Sequence, residues 1–178
     1  SVDAAYQEKD QLIKAVVESA AKSTAEAIIG VLFYAFLGGV ALAWVYKAII
    51  IINSYAERDS SHYIGIEWFS LKLEEIFNYL PAWISALVVP LASRVCHKDA
   101  VRSFRAAVKD SKNHVNTTVV ISESAFAGAL GIQLGGLNYY QGMPVYKPYL
   151  GHAYNEPKTE FVKDAADILF VSSAVMTG

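Results

Sequence analysis

The sequence predicts an all-α, multi-pass integral membrane helical protein, and three observations carry that expectation. Of the 178 residues, 54% are hydrophobic and only 18% are charged, whereas a soluble domain carries about 25% charged residues. Residues 28–46 hold no charged side chain, a run of roughly 19 residues where about 20 span a hydrocarbon core. No stretch shows the clear two-residue alternation of a half-buried strand, and no repeat or low-complexity tract is present. The mean hydropathy of +0.29 agrees. The length predicts one domain over residues 1–178.

Each element follows in order. Residues 1–24 read as a charged amphipathic helix with Leu12, Ile13, Val16, Val17 and Ala20 at helical spacing, and without the layout of a secretory signal. Residues 28–46 read as a transmembrane helix ending in Trp44 and Tyr46, interfacial aromatics followed by Lys47. The apolar run resumes through residues 49–52, so the helix is expected to be long and tilted, with Lys47 snorkelling or buried. Residues 53–72 read as a polar and aromatic loop leading into a surface helix. Residues 73–92 form a second apolar element, interrupted by Glu74, Glu75, Asn78, Pro81 and Pro90, and therefore expected to be broken or re-entrant.

Residues 94–112 place Arg94, Lys98, Arg102, Arg105, Lys109 and Lys112 three or four apart, with Val101, Phe104 and Val108 opposite. That pattern predicts an interfacial amphipathic helix, or a phosphate-binding face. Its charge places it on the cytoplasmic, matrix or stromal side. Residues 119–137 are apolar and carry Glu123, residues 141–163 read as a loop, and residues 165–176 as a short final helix.

A net charge of −2 argues against nucleic acid as a partner. The single Cys96 excludes an intrachain disulfide and a cysteine-based zinc or iron–sulfur cluster, and reads as a small hydrophobe. No GxxxxGK[ST] phosphate loop is present. The richest segment is residues 125–151. There Ala125, Gly128, Ala129 and Gly131 allow close backbone approach, and Gly135–Gly136 mark a turn or a near contact. Asn138, Tyr139 and Tyr140 follow, and then a loop bearing Lys147 and two prolines.

Taken together, these pieces are similar to the CbiB/CobD family of cobalamin-biosynthesis membrane proteins, over nearly all of the chain. The apolar helix ending in Val45–Tyr46–Lys47 resembles the family's helix with its Tyr-Lys pair. Leu73–Glu74–Glu75 with Asn78–Tyr79–Leu80–Pro81–Ala82 resembles its acidic-pair segment. Lys109–Asp110–Ser111–Lys112–Asn113–His114 resembles the basic run before Glu123. GALGIQLGG, Asn138–Tyr139–Tyr140, Gly142, Lys147–Pro148 and Leu150–Gly151 complete the order.

The resemblance implies ATP-dependent amide ligation of an aminopropanol unit, often as its phosphate, to adenosylcobyric acid. It implies Mg²⁺ and ATP as cofactors, and the lipid bilayer and a corrinoid substrate as partners. Carboxylate activation needs acids for metal or base roles and cations for phosphate. On this reading Glu123, Asp110 and His114 are catalytic candidates, with Glu18 also available as an acid. Lys47, Lys109, Lys112, Asn138, Tyr139, Tyr140 and Lys147 bind substrate, and Glu74 and Glu75 hold metal.

The sequence also departs from the family pattern. An acidic, Asn-containing run after Glu18 is here Ala21–Lys22–Ser23–Thr24–Ala25–Glu26–Ala27. The polar motif after Tyr46–Lys47 is Ile50–Ile51–Ile52–Asn53–Ser54. An expected arginine is Trp83, and the polar segment before Glu123 is reduced to residues 116–122. These losses define the alternative, a non-catalytic membrane scaffold subunit packed against other membrane protein subunits. A soluble carrier of apolar ligands is a third reading.

Overall fold

The computed structural model describes residues 2–56, 64–112, 117–140 and 143–178. The order is α1 (Val2–Ser23), a π-helical segment (Thr24–Gly30), α2 (Val31–Ala56), α3 (Ile64–Val95), α4 (Ala100–Ser111), α5 (Thr117–Leu130), β1 (Leu134–Tyr140), β2 (Met143–Leu150) and α6 (Glu160–Thr177). Helices dominate, as composition predicts. Among the described residues, two stretches are long and apolar enough to cross a membrane, Lys9–Tyr55 and Lys72–Val95.

The first of these is not one straight rod, which corrects the single span expected over residues 28–46. Gly38 (φ −142°, ψ 22°) and Gly39 (φ 65°, ψ −162°) break α2, and the Gly39 conformation belongs to a region that essentially only glycine enters. Beyond the break the chain folds back. The Tyr46 ring rests on the Gly30 backbone, so that a Cβ at Gly30 would lie 2.1 Å from the Tyr46 hydroxyl. Tyr46 also stacks on Tyr34 with centroids 4.8 Å apart. In a straight helix residues 30 and 46 would be about 24 Å apart at 1.5 Å per residue. A helical hairpin reconciles both contacts.

In α3 the expectation errs in the opposite direction. Pro81 and Pro90 lie inside one continuous helix, although each proline removes the hydrogen bond to the carbonyl four residues back. For Pro81 that carbonyl is Phe77 O, and the Tyr34 hydroxyl donates to it at 2.8 Å. The hairpin thus supplies the bond that the proline forgoes. The helix also begins earlier than the apolar pattern suggests, at Ile64.

The basic helix is shorter than predicted. Arg94 belongs to α3, which ends where Lys98 N–H donates to Ser93 O at 2.7 Å and His97 turns left-handed (φ 56°). Asp99 then caps α4, its Oδ1 accepting from Arg102 N–H at 2.9 Å. That hydrogen bond lowers the Asp99 pKa. The buried face of α4 is Ser103, Ala107 and Ser111, while Val101 and Phe104 are exposed. These small residues meet the small residues of α5. Ser103 Oγ donates to Ala125 O at 2.8 Å, and a Cβ on Gly128 would lie 2.5 Å from Arg102 O. The close approach read from Ala125, Gly128 and Ala129 is therefore a helix–helix contact.

At the centre lies α5, buried through residues 120–130 and surrounded by α1, α3, α4 and α6. Ile13, Val17 and Ala21 turn α1 toward this core, whereas Leu12 and Val16 face outward. Half-buried Cys96 packs against the same cluster, as a small hydrophobe should. β1 and β2 pair antiparallel, with Leu134 opposite Leu150, Gly136 opposite Lys147 and a bulge at the diglycine. The sequence reading has no strands here and treats residues 141–163 as a loop. Two strands rich in Gly, Asn and Pro show no alternation, because they are stabilised by what they dock on rather than by a half-buried face.

Gly30→Ala is expected to cost about 1–3 kcal/mol, since the new methyl must displace a packed ring. Thermal unfolding in detergent measures it. The penalty should largely vanish in a Tyr46→Ala background, and an unchanged penalty there would contradict the hairpin contact.

Candidate functional site

Glu18 lies on the inner face of α1, 5% exposed. One carboxylate oxygen accepts from Gly135 N–H at 3.1 Å, and the other from Lys147 Nζ at 2.9 Å. The diglycine is needed here. Gly135 (φ 79°) and Gly136 (φ 94°) take left-handed conformations, and a Cβ on Gly135 would lie 2.0 Å from Pro148 O. With both oxygens satisfied, the buried charge is paired and hydrogen-bonded, the condition under which such a pair is tolerated.

Beside this clamp is Glu123 of α5, 7% exposed. Burial pushes its carboxyl up to about 7. The negative charge of Glu18 and, more weakly, of Glu26 adds to the rise, while Lys147 and Lys22 oppose it. The helix that carries it, at 14 residues, is shorter than the roughly 17 that cross a bilayer. Lys22 and Glu26 face each other at 3.9 Å one helical turn apart. Together with Asn78, Thr118 and Ser122 they line a small cleft with room for about one water molecule. Three acids and two lysines thus share one neighbourhood, fed from α1, the π-helical segment, α5 and β2.

A second polar group adjoins the cleft. Tyr46 O–H donates to Asn78 Oδ1 at 2.6 Å, and Asn78 Nδ2 donates to Glu74 Oε1 at 3.3 Å. Asn53 Nδ2 donates to Glu74 Oε2. Glu74 therefore faces the hairpin. Glu75, one residue on, faces away and pairs with Lys72 at 2.7 Å. The two acids expected to hold a metal together are not brought together.

Of the expected catalytic residues, Asp110 makes contacts of its own. Asp110 Oδ2 accepts from Ser124 Oγ at 3.0 Å and from Gly151 N–H at 2.8 Å, a tie between α4, α5 and the end of β2. His114 lies outside the described residues. Lys109 Nζ sits 3.0 Å from His152 Nε2 on the surface, Lys112 is exposed and Lys47 is half-buried. Asn138 and Tyr139 lie on β1 opposite Val145 and Pro144, and Tyr140 lies opposite Met143. Their side chains are outside the described set. The basic stripe is largely engaged, with Lys98 on Asp164 at 2.6 Å and Arg102 on Asp99 at 2.8 Å and over the Tyr154 ring at 5.2 Å.

Of the sequence candidates, the structure gathers Lys147 and Glu123 about one centre with Glu18. The reading of single motifs missed Lys22, Glu26 and Asn53. The signal was available, since Glu18, Lys22 and Glu26 repeat every four residues on one helical face. Among the described residues no three His, Cys, Asp or Glu side chains converge to cage a metal ion. A Mg²⁺ ion carried by a nucleotide needs only one or two carboxylates beside phosphates and water. Glu26, which lines the cleft, is a carboxylate of the kind such an ion would use.

The sequence model of the family described as CobD/Cbib protein matches residues 1–169. The chain is 34% identical to the cobalamin biosynthesis protein CobD of Clostridium tetani over 94% of its own length and 53% of that protein's. It is 36% identical to the cobalamin biosynthesis protein CbiB of Salmonella typhimurium over 93% of its length and 52% of that protein's. For CobD of Klebsiella pneumoniae the figures are 35%, 93% and 52%. The chain spans about half the length of these relatives. No solved structure matches it.

Two expectations follow from the geometry. The folded-state pKa of Glu123, about 7, lies above the ordinary 4.5, so the folded protein holds this proton more tightly than the unfolded chain. The stability it contributes is full below about pH 4.5 and is lost as pH rises toward 7, by up to roughly 3 kcal/mol. Melting curves between pH 4.5 and 8 should show this decline, and Glu123→Gln should flatten it. Asp110→Ala should lower stability by about 1–3 kcal/mol, because it leaves Ser124 and Gly151 donors without their acceptor. An unchanged melting temperature would show that the tie does not hold.

Proposed function

Because the chain belongs to the CobD/CbiB family, whose relatives above bear the name cobalamin biosynthesis protein, we propose that it serves an amide ligation in that biosynthesis. The reaction joins an aminopropanol, free or as its phosphate, to a carboxylate of adenosylcobyric acid at the membrane. The observation that carries this reading is Glu123, a buried carboxyl with a pKa of about 7, set beside Lys147, Lys22 and the polar cleft. An amine attacks only when deprotonated, and a general base works best with a pKa near the ambient pH. Glu123 takes that proton. Lys147, aimed by Glu18, and Lys22 offset negative charge on a phosphate or on the tetrahedral oxyanion.

Bound Mg²⁺–ATP would supply the phosphoryl group that activates the carboxylate and leaves as inorganic phosphate when the amine attacks, with Glu26 as an acid that would help to hold the ion. We assign the basic segment of α4 to the cytoplasmic, matrix or stromal side from its charge.

The test is an ATP-dependent amide-forming assay on membranes containing the protein. Glu123→Gln should lower kcat by about 10²–10⁴-fold, the usual worth of a positioned base. Lys147→Met should act mainly on KM for the phosphorylated amine. Wild-type protein that assembles normally yet forms no amide would retire the ligase reading and leave the scaffold.

A further inference from the structure

We propose that residues 24–56 enter and leave the bilayer on the same side, as a helical hairpin whose Gly38–Gly39 turn lies in the hydrocarbon. A single span over this stretch would put Glu26 and Asn53 on opposite faces of the membrane. The contacts forbid that. Tyr46 reaches Gly30 and Tyr34 across the turn, so both arms run side by side. The two tyrosines then reach adjacent positions on α3, Phe77 O and Asn78 Oδ1.

The occupant around the tip is lipid chain, for three reasons. Phe36 is 89% exposed and Val40 72%, and Leu37 and Trp44 stand out beside them. No charged side chain lies between Glu26 and Lys47, so the tip half of the hairpin carries no charge, and Lys47, midway along the second arm, is half-buried rather than turned outward. The neighbouring helix carries a matching outer face. Ile76, Leu80, Leu87, Leu91 and Val95 are exposed at helical spacing over about 28 Å, close to the hydrocarbon thickness. Glu75 and Arg94 stand at its two ends, exposed.

From Glu26, the last charge of the first arm, to the Gly38–Gly39 turn is about 18 Å, less than the ~30 Å core, so the turn stays inside it when Glu26 sits at the interface. Open backbone groups are costly there, and a two-residue turn limits them to two helix ends. One consequence is functional: the acid–lysine cleft and the Asn53–Glu74 group open to the same compartment.

The experiment places single cysteines, in a Cys96→Ser background, at Ser23, Phe36, Val40 and Ser54 of the full chain in sealed, oriented vesicles. A membrane-impermeant maleimide should label Ser23→Cys and Ser54→Cys from the same side. It should label Phe36→Cys and Val40→Cys from neither side, while nitroxide lipids should quench a fluorophore attached there before reconstitution. Labelling of positions 23 and 54 from opposite sides overturns the hairpin. Labelling of 36 or 40 by the impermeant reagent overturns the buried tip. Protection without lipid quenching assigns the tip to a protein neighbour and overturns the lipid.

Discussion

The close contact between the Gly30 backbone and the Tyr46 ring organises the molecule. Only a residue without a side chain at position 30 lets the second arm of α2 lie against the first. That approach brings the Tyr34 hydroxyl to the carbonyl that Pro81 leaves open, and the Tyr46 hydroxyl to Asn78. It also brings Asn53 to Glu74. The straightness of α3 and the polar wall of the cleft both descend from it.

The β-hairpin is held by the same economy of means. Among the described residues neither strand pairs with a third, and a two-stranded hairpin is marginal in isolation. Carboxylates from two helices fix its two ends, Glu18 at Gly135 N–H and Asp110 at Gly151 N–H. Charge-assisted bonds of this kind are about twice as strong as neutral ones. The Glu18 bond also delivers Lys147 to the acids. Lys147 is thereby set beside Glu123, whose carboxyl burial and like charge hold near neutrality. On the proposed ligase reading, that poised proton is the one the reaction needs.

The departures from the family pattern look different in three dimensions. Ile51 and Ile52, which stand where polar residues are expected, are exposed on the outer face of α2 rather than lining the cleft, and Trp83 is also turned outward. Lys22 and Glu26, within the altered run after Glu18, line the cleft directly. The polar character of the site is redistributed among α1, the π-helical segment and α3.

What the sequence determined alone was the helical, apolar character of the chain, the docking of the small-residue face of α5 and the special backbone at Gly135–Gly136. Each depends on residue size or hydropathy, properties local to a segment. Family kinship was legible because many short motifs recur in order. The tertiary structure alone decided that residues 28–46 double back while Pro81 leaves α3 unbroken. A helix bends where its open backbone groups find no neighbour, and continues where a distant tyrosine supplies one. It also decided which acids meet: adjacent Glu74 and Glu75 diverge, while Glu18 and Glu123, 105 positions apart in the chain, share one low-dielectric neighbourhood because α1 and α5 pack together.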